Sequence, residues 1–175
     1  MTQQLIITIL GANEFGMLSA LADTVCEAGC NILDSRQAVY GQDFSLTMII
    51  EGSQSAIIQA ELAIPVTCQK NNLLSMMKRT KKHSKQHLET LADVSICGVS
   101  IIGVVKKITQ FFSQQHISVS AFRLKTFEQA EFESELMKCK MVVSMPHAVS
   151  IEDIDQKFQA LLDELNLEGS IKQNH

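Results

Sequence analysis

No stretch of this 175-residue chain stays apolar for the roughly 18 residues a membrane helix needs, so no membrane association is expected. The opening residues, MTQQLIITIL, lack a positively charged region ahead of their apolar stretch. That argues against a signal peptide and makes the cytoplasm the expected location. An excess of basic charge is also missing, and a net charge of −4 speaks against a direct nucleic-acid binder. No Cys-x-x-Cys pair occurs among Cys26, Cys30, Cys68, Cys97 and Cys139. In a reducing compartment this odd, scattered set reads as buried small apolar residues. Cys26 and Cys30 are four apart, as are His83 and His87, but no spacing in the chain calls for zinc. No metal and no cofactor are expected.

Catalytic patterns are equally scarce. Ser35 and Arg36 follow Asp34, yet Ser, His and acid do not converge at a triad spacing. Glu14 and Asp34 can be drawn as paired carboxylates, but nothing supplies a cleft or a raised pKa. The chain reads as a non-enzyme. The stretch GANEFGML at 11–18 raises a phosphate loop for consideration. A Walker loop needs Lys and Ser or Thr after its second glycine. Here Gly16 is followed by Met17 and Leu18, and the similar GVSIIGVV at 98–105 has Val104 and Val105 after Gly103. A dinucleotide fingerprint fares no better, since only two of its glycines can be placed. What is left is a strand-to-helix turn whose amides are free to meet a small anion such as a carboxylate, or glycines that serve the turn alone.

What the chain does have is apolar material, 46% of its residues, written twice. QLIITIL (residues 4–10) reads as a buried strand, and Met17, Leu18, Leu21, Ala22, Val25 and Cys26 stripe a helix that stops at Gly29. NILDSRQAVYG and FSLTMIIEG are strands around a GQD turn, with Gly41 where a positive φ is easiest. Ser53 or Ser55 caps a helix carrying Ile57, Ile58, Ala60, Glu61 and Leu62; Pro65 is expected to end it, and VTCQKNNLLSMM to supply a last strand. The second half repeats this βαββαβ order. DVSIC, ISVSAFRLKTF, LMKCKMVVSM and EGSIKQ are its strands. One helix carries Val104, Ile108, Phe111 and Phe112, and another follows Pro146, opened by Ser150. His116 takes the place of the glycine expected after the first of these helices and is expected on the surface.

A constant offset of 87 maps Gly11 onto Gly98, Gly16 onto Gly103, Ile32 onto Val119 and Arg36 onto Arg123. The expected fold is therefore α+β, two ferredoxin-like βαββαβ domains, each an antiparallel sheet with two helices on one face. Residues 1–79 form the first domain, 80–88 a linker and 89–175 the second. Lys78, Arg79, Lys81, Lys82 and Lys85 gather 5 of the 15 basic residues around that linker, with no acid among residues 78–87. No aromatic residue interleaves with them for base stacking, so a solvated linker or a contact for an acidic protein is the reading.

The glycine pair, the duplicated order and EAGCNILDSRQAVYGQDFSLTMIIEG together resemble the ACT domain family. Gly11, Gly16 and Leu18 fit its first loop, and Ala28, Gly29, Asn31 and Ile32 fit the start of its second strand. Asn13 stands where Asp is usual. The resemblance implies binding of amino acids at an interface between two copies, with Asn13, Glu14, Phe15, Gly16, Met17, Leu18, Asn31 and Ile32 as the ligand contacts. In the second copy Ser100, Ile101 and Ile102 replace the polar loop, which makes that copy structural or an interaction surface. CNILDSRQAVYG and LLSMMKRT are similar to tandem-ACT repressors of glycine-cleavage genes. That narrower likeness implies a transcriptional activator as protein partner and glycine or another small amino acid as ligand. The rival expectations are a ligand-free ACT interaction module and a regulatory subunit of an amino-acid metabolic enzyme. Exposed edge strands would let two chains pair as a homodimer.

Overall fold

The computed structural model describes residues 2–81, 89–128, 135–146 and 149–174. Residues 82–88, with Lys82, His83, Lys85 and His87 of the expected linker, lie outside the described residues. The chain divides into two compact units, Met1–Ser84 and Lys85–His175. The first contains β1 (Thr2–Ala12), α1 (Met17–Glu27), β2 (Asn31–Tyr40), β3 (Asp43–Ser53), α2 (Gln54–Lys70) and β4 (Leu74–Thr80). Its strands pair antiparallel in the order β2-β3-β1-β4. The second contains β5 (Glu89–Val99), α3 (Val104–Gln114), β6 (Ser118–Glu128), β7 (Glu135–Pro146), α4 (Ile151–Leu165) and β8 (Leu167–Gln173). Its order, β6-β7-β5-β8, repeats the first. The duplicated α+β ferredoxin-like architecture expected from the sequence is the one observed.

Strand pleating explains why each sheet has one covered face. Leu5, Ile7 and Ile9 of β1 alternate with Ile6, Thr8 and Leu10, and only the first set is buried. Leu21 and Val25 of α1 and Ile57, Ala60 and Ile64 of α2 close over that set. In the second unit Val94 and Ile96 of β5 are covered by Ile108 and Phe112 of α3 and by Phe158 and Leu162 of α4. The Phe158 ring sits 5.5 Å from that of Phe112 and 5.6 Å from that of Phe111. Among the described residues the opposite face of each sheet carries no helix of its own unit.

The repeat runs deeper than the glycines. β2 slips register between Ile32 and Asp34, and β6 slips between Val119 and Ala121, the same position in each copy. Each bulge turns the rest of its strand over, so that Asp34 and Arg36, like Ala121 and Arg123, share the uncovered face. His116, which replaces Gly29 of the first copy, is exposed and holds φ at 56°, so the left-handed backbone survives the substitution.

Two expectations fail. α2 does not end at Pro65 but runs on to Lys70, and β4 starts only at Leu74. Pro65 leaves the Glu61 carbonyl without its helical amide donor. Yet Ile57, Ala60, Ile64 and Cys68 recur at three and four and are all buried. At about 0.8 kcal/mol per buried CH₂, that face outweighs the roughly 3 kcal/mol a mid-helix proline costs. Nor are the cysteines uniformly buried: Cys68 and Cys139 are, Cys30 and Cys97 are half-buried, and Cys26 is exposed. Cys26 sits on the outward side of α1, beside rather than in the stripe made by Leu21 and Val25.

Candidate functional site

Between β1 and α1 the chain must turn sharply from strand to helix. Gly16 makes the turn as the residue capping α1, at φ 83° and ψ −2°, a conformation that costs any residue with a Cβ. Having no side chain, it offers no acceptor to the amides of the first helical turn, and no acid lies within that turn. The Met17 amide donates to the Glu14 carbonyl at 3.5 Å, and no side chain caps the amides that follow at the positive end of the helix. The Asn13 amide donates to the Gln42 carbonyl at 2.8 Å, tying the loop to the β2–β3 turn. The Ala20 amide donates to the Gly16 carbonyl at 2.9 Å and closes the first full helical turn.

A cavity of about 410 Å³ lies against this loop on the helix-covered side of the first sheet. Asn13, Glu14, Phe15, Gly16, Met17 and Leu18 all line it, so the structure gathers six of the eight expected contact residues. Ser19, Gln37 and Phe44 complete the lining. These three escaped the sequence reading, although pleat alternation back from the Gly41 turn puts Gln37 and Phe44 on the helix side. Asn31 and Ile32 lie elsewhere: they open β2 opposite Glu51 and Ile50, at the strand end remote from the loop. Phe15 projects fully into solvent at the loop tip, with a relative exposure of 107%.

The second unit repeats the turn with other chemistry. Gly103 caps α3 at φ 90° and ψ −4°, again without a side-chain hydrogen bond. Ile102, equivalent to Phe15, is exposed to 105%, and Ile101 beside it to 52%. The loop tips of both copies thus carry a bare apolar side chain at the same place.

Three of the cysteines are poor nucleophiles in these settings. Burial pushes the thiols of Cys30, Cys68 and Cys139 up, which keeps them protonated. Among the described residues no three His, Cys, Asp or Glu side chains stand close enough to hold a metal ion. No helix among them is long and apolar enough to cross a membrane.

Residues 3–78 match the model of the ACT domain family. A crystal structure provisionally assigned as a glycine cleavage system transcriptional repressor superposes with a TM-score of 0.76 at 30% identity, over 99% of this chain and 98% of the other. The chain belongs to the ACT domain family. Within that family its likeness extends through both ACT units. The glycine cleavage system transcriptional repressor of Escherichia coli K12 is 29% identical over 167 residues, which span 95% of this chain and 88% of the relative. The Shigella flexneri repressor of the same name matches to the same extent. An unknown protein from Galdieria sulphuraria has the same tandem ACT-like fold, with a TM-score of 0.81 at 13% identity over the whole of both chains.

Proposed function

We propose that this protein is a cytoplasmic, non-enzymatic regulator of glycine-cleavage genes that acts through a protein partner and senses glycine or another small amino acid. The partner is a transcriptional activator, contacted directly, rather than DNA. Residues 1–79 and 89–175 serve as its two domains and 80–88 as a basic linker between them. The full-length likeness to repressors so named supports the regulatory part of this reading. The observation that carries the sensing part is the start of α1, whose first turn has no side-chain cap and lies against a 410 Å³ cavity. A zwitterion's carboxylate suits the amides of that turn. Gln37 and Asn13 supply neutral hydrogen-bonding groups for the rest of a small ligand.

The ligand reading is tested by isothermal titration of the purified chain with glycine, alanine and serine. Saturable heat with at least one of them, lost in Gly16→Val, supports it; no heat with any overturns it. The partner reading is tested by recovering the chain from cells with its bound proteins. A transcription factor supports it, and a biosynthetic enzyme would instead make the chain a regulatory subunit. A second reading, a ligand-free interaction module, is favoured by the bare Ile101 and Ile102 of the second loop. There an apolar tip suits protein contact better than a polar ligand.

A further inference from the structure

The uncovered face of the second sheet carries a charge pattern that the fold does not require. Strand registers bring Arg123, Lys140, Ser95 and Ser170 into one row across β6, β7, β5 and β8. Two residues further along β6, Lys125 stands directly opposite Lys138. Like charges directly opposed on neighbouring strands destabilise a sheet, and here two such pairs follow each other. Among the described residues no carboxylate forms an ion pair with any of these four cations. Lys172 lies opposite Asp93, but the Asp93 carboxylate accepts from the Asn174 amide at 3.2 Å instead.

The first sheet shows what the fold needs without this pattern. Its equivalent row is Arg36, Thr47, Thr8 and Met76. Arg36 is the counterpart of Arg123, and Asp34 neutralises it at 3.6 Å. In the second copy Ala121 occupies the position of Asp34, so the guanidinium is left free for another anion. A cavity of about 450 Å³ opens over the row, with Arg123, Lys140 and Lys172 around it, the single carboxylate of Asp93 at its wall and the apolar Val142 in its floor. The Ser95 and Ser170 hydroxyls meet within it, 3.1 Å apart.

We propose that this face binds a small phosphate-bearing metabolite. A guanidinium fork, an ammonium and two hydroxyls match the several oxygens of a phosphate group, and a dianion relieves the repulsion between the opposed cations. The volume falls in the range of small-molecule sites, and Ala121 and Val142 offer an apolar bed for the organic part. A long nucleic acid suits the face less well. The chain is net −4, so a polyanion leaving the patch meets an acidic surface, and Phe127 at the patch edge is already covered by the Lys138 ammonium at 5.3 Å. The site lies on a helix-free sheet face and owes nothing to the loop of the first unit.

The test titrates the full chain with inorganic pyrophosphate at constant ionic strength, by calorimetry and by thermal unfolding. Saturable binding with a raised midpoint is expected. The double variant Arg123→Gln, Lys140→Gln should weaken binding by about a hundredfold, since two charge-assisted contacts are lost. Without pyrophosphate it should unfold at the wild-type temperature or higher, because the opposed charges are gone. Ala121→Asp, which copies the first sheet's arrangement, should weaken binding while leaving the row intact. Equal binding by wild type and both variants overturns the proposal, as does an equal response to citrate or tighter binding of a single-stranded RNA oligomer.

Discussion

Replacing Gly16 isolates one physical effect, because a Cβ added there meets no atom within 4 Å. Any loss of stability then comes from the backbone, which the structure holds at φ 83°. For an L-residue that left-handed conformation costs about 1–2 kcal/mol. Alanine also restricts the unfolded chain relative to glycine, which returns roughly 0.4–1 kcal/mol where no strain opposes it. The net expected loss for Gly16→Ala is therefore about 1 kcal/mol. In a unit of this size that corresponds to a midpoint lower by about 4–8 °C. Gly16→Asn should fall between wild type and alanine, since asparagine tolerates the left-handed region; Asn72 and Asn166 already occupy it here, at φ 54° and 51°. Gly16→Val should be worst, as a β-branched side chain tolerates it least. Urea unfolding followed by circular dichroism measures all three. Equal stabilities for alanine, asparagine and glycine would refute the reasoning, because conformational strain must rank them.

Phe158 is fully buried between the Phe111 and Phe112 rings, so Phe158→Ala should cost about 3–5 kcal/mol in urea unfolding. Pro65→Ala should raise the thermal midpoint, because it restores an amide donor to the Glu61 carbonyl in a helix that already continues past the proline. The Arg79 guanidinium grips the Glu61 carboxylate through two contacts of 2.7 Å and holds its pKa below the ordinary carboxylate value. A depressed carboxylate pKa contributes stability above the unfolded value and loses it as pH falls through the folded one. Glu61→Gln should be slightly less stable than wild type at pH 7, and parallel urea titrations should show that gap closing at acid pH.

Much of this fold was legible because both copies obey the same local rules. The 87-residue offset, the strand-turn-helix glycines and the Ser53 and Ser150 caps all rest on short-range chemistry. Ser53 accepts from the Ala56 amide at 3.2 Å and Ser150 from the Asp153 amide at 3.4 Å, as helix-capping rules lead one to expect. Pro65 misled because a propensity rule met a buried helical face, and tertiary packing won. Loop spacing alone left residues 13–18 as a plain turn, and they became candidate contacts only through the likeness to ACT domains; the Gln37 and Phe44 walls beside them come from another strand, and pairing across a sheet is not a neighbour relation in sequence. Asn31 and Ile32 came from a family pattern; in the folded chain the length of β2 separates them from the loop. The opposed cations of β6 and β7 were hidden for a further reason. Their alignment depends on the bulge between Val119 and Ala121, where one extra residue decides which face Arg123 takes.

The central claim, that the first loop senses a small amino acid, is tested most directly by thermal unfolding of the purified chain against a panel of amino acids that includes glycine. At a hundredfold excess over the dissociation constant a true ligand stabilises the native state by about 2.7 kcal/mol, which is readily seen as a raised midpoint. The account predicts that glycine or another small amino acid raises the midpoint and that Gly16→Val abolishes the rise. An unchanged midpoint with every amino acid would contradict it.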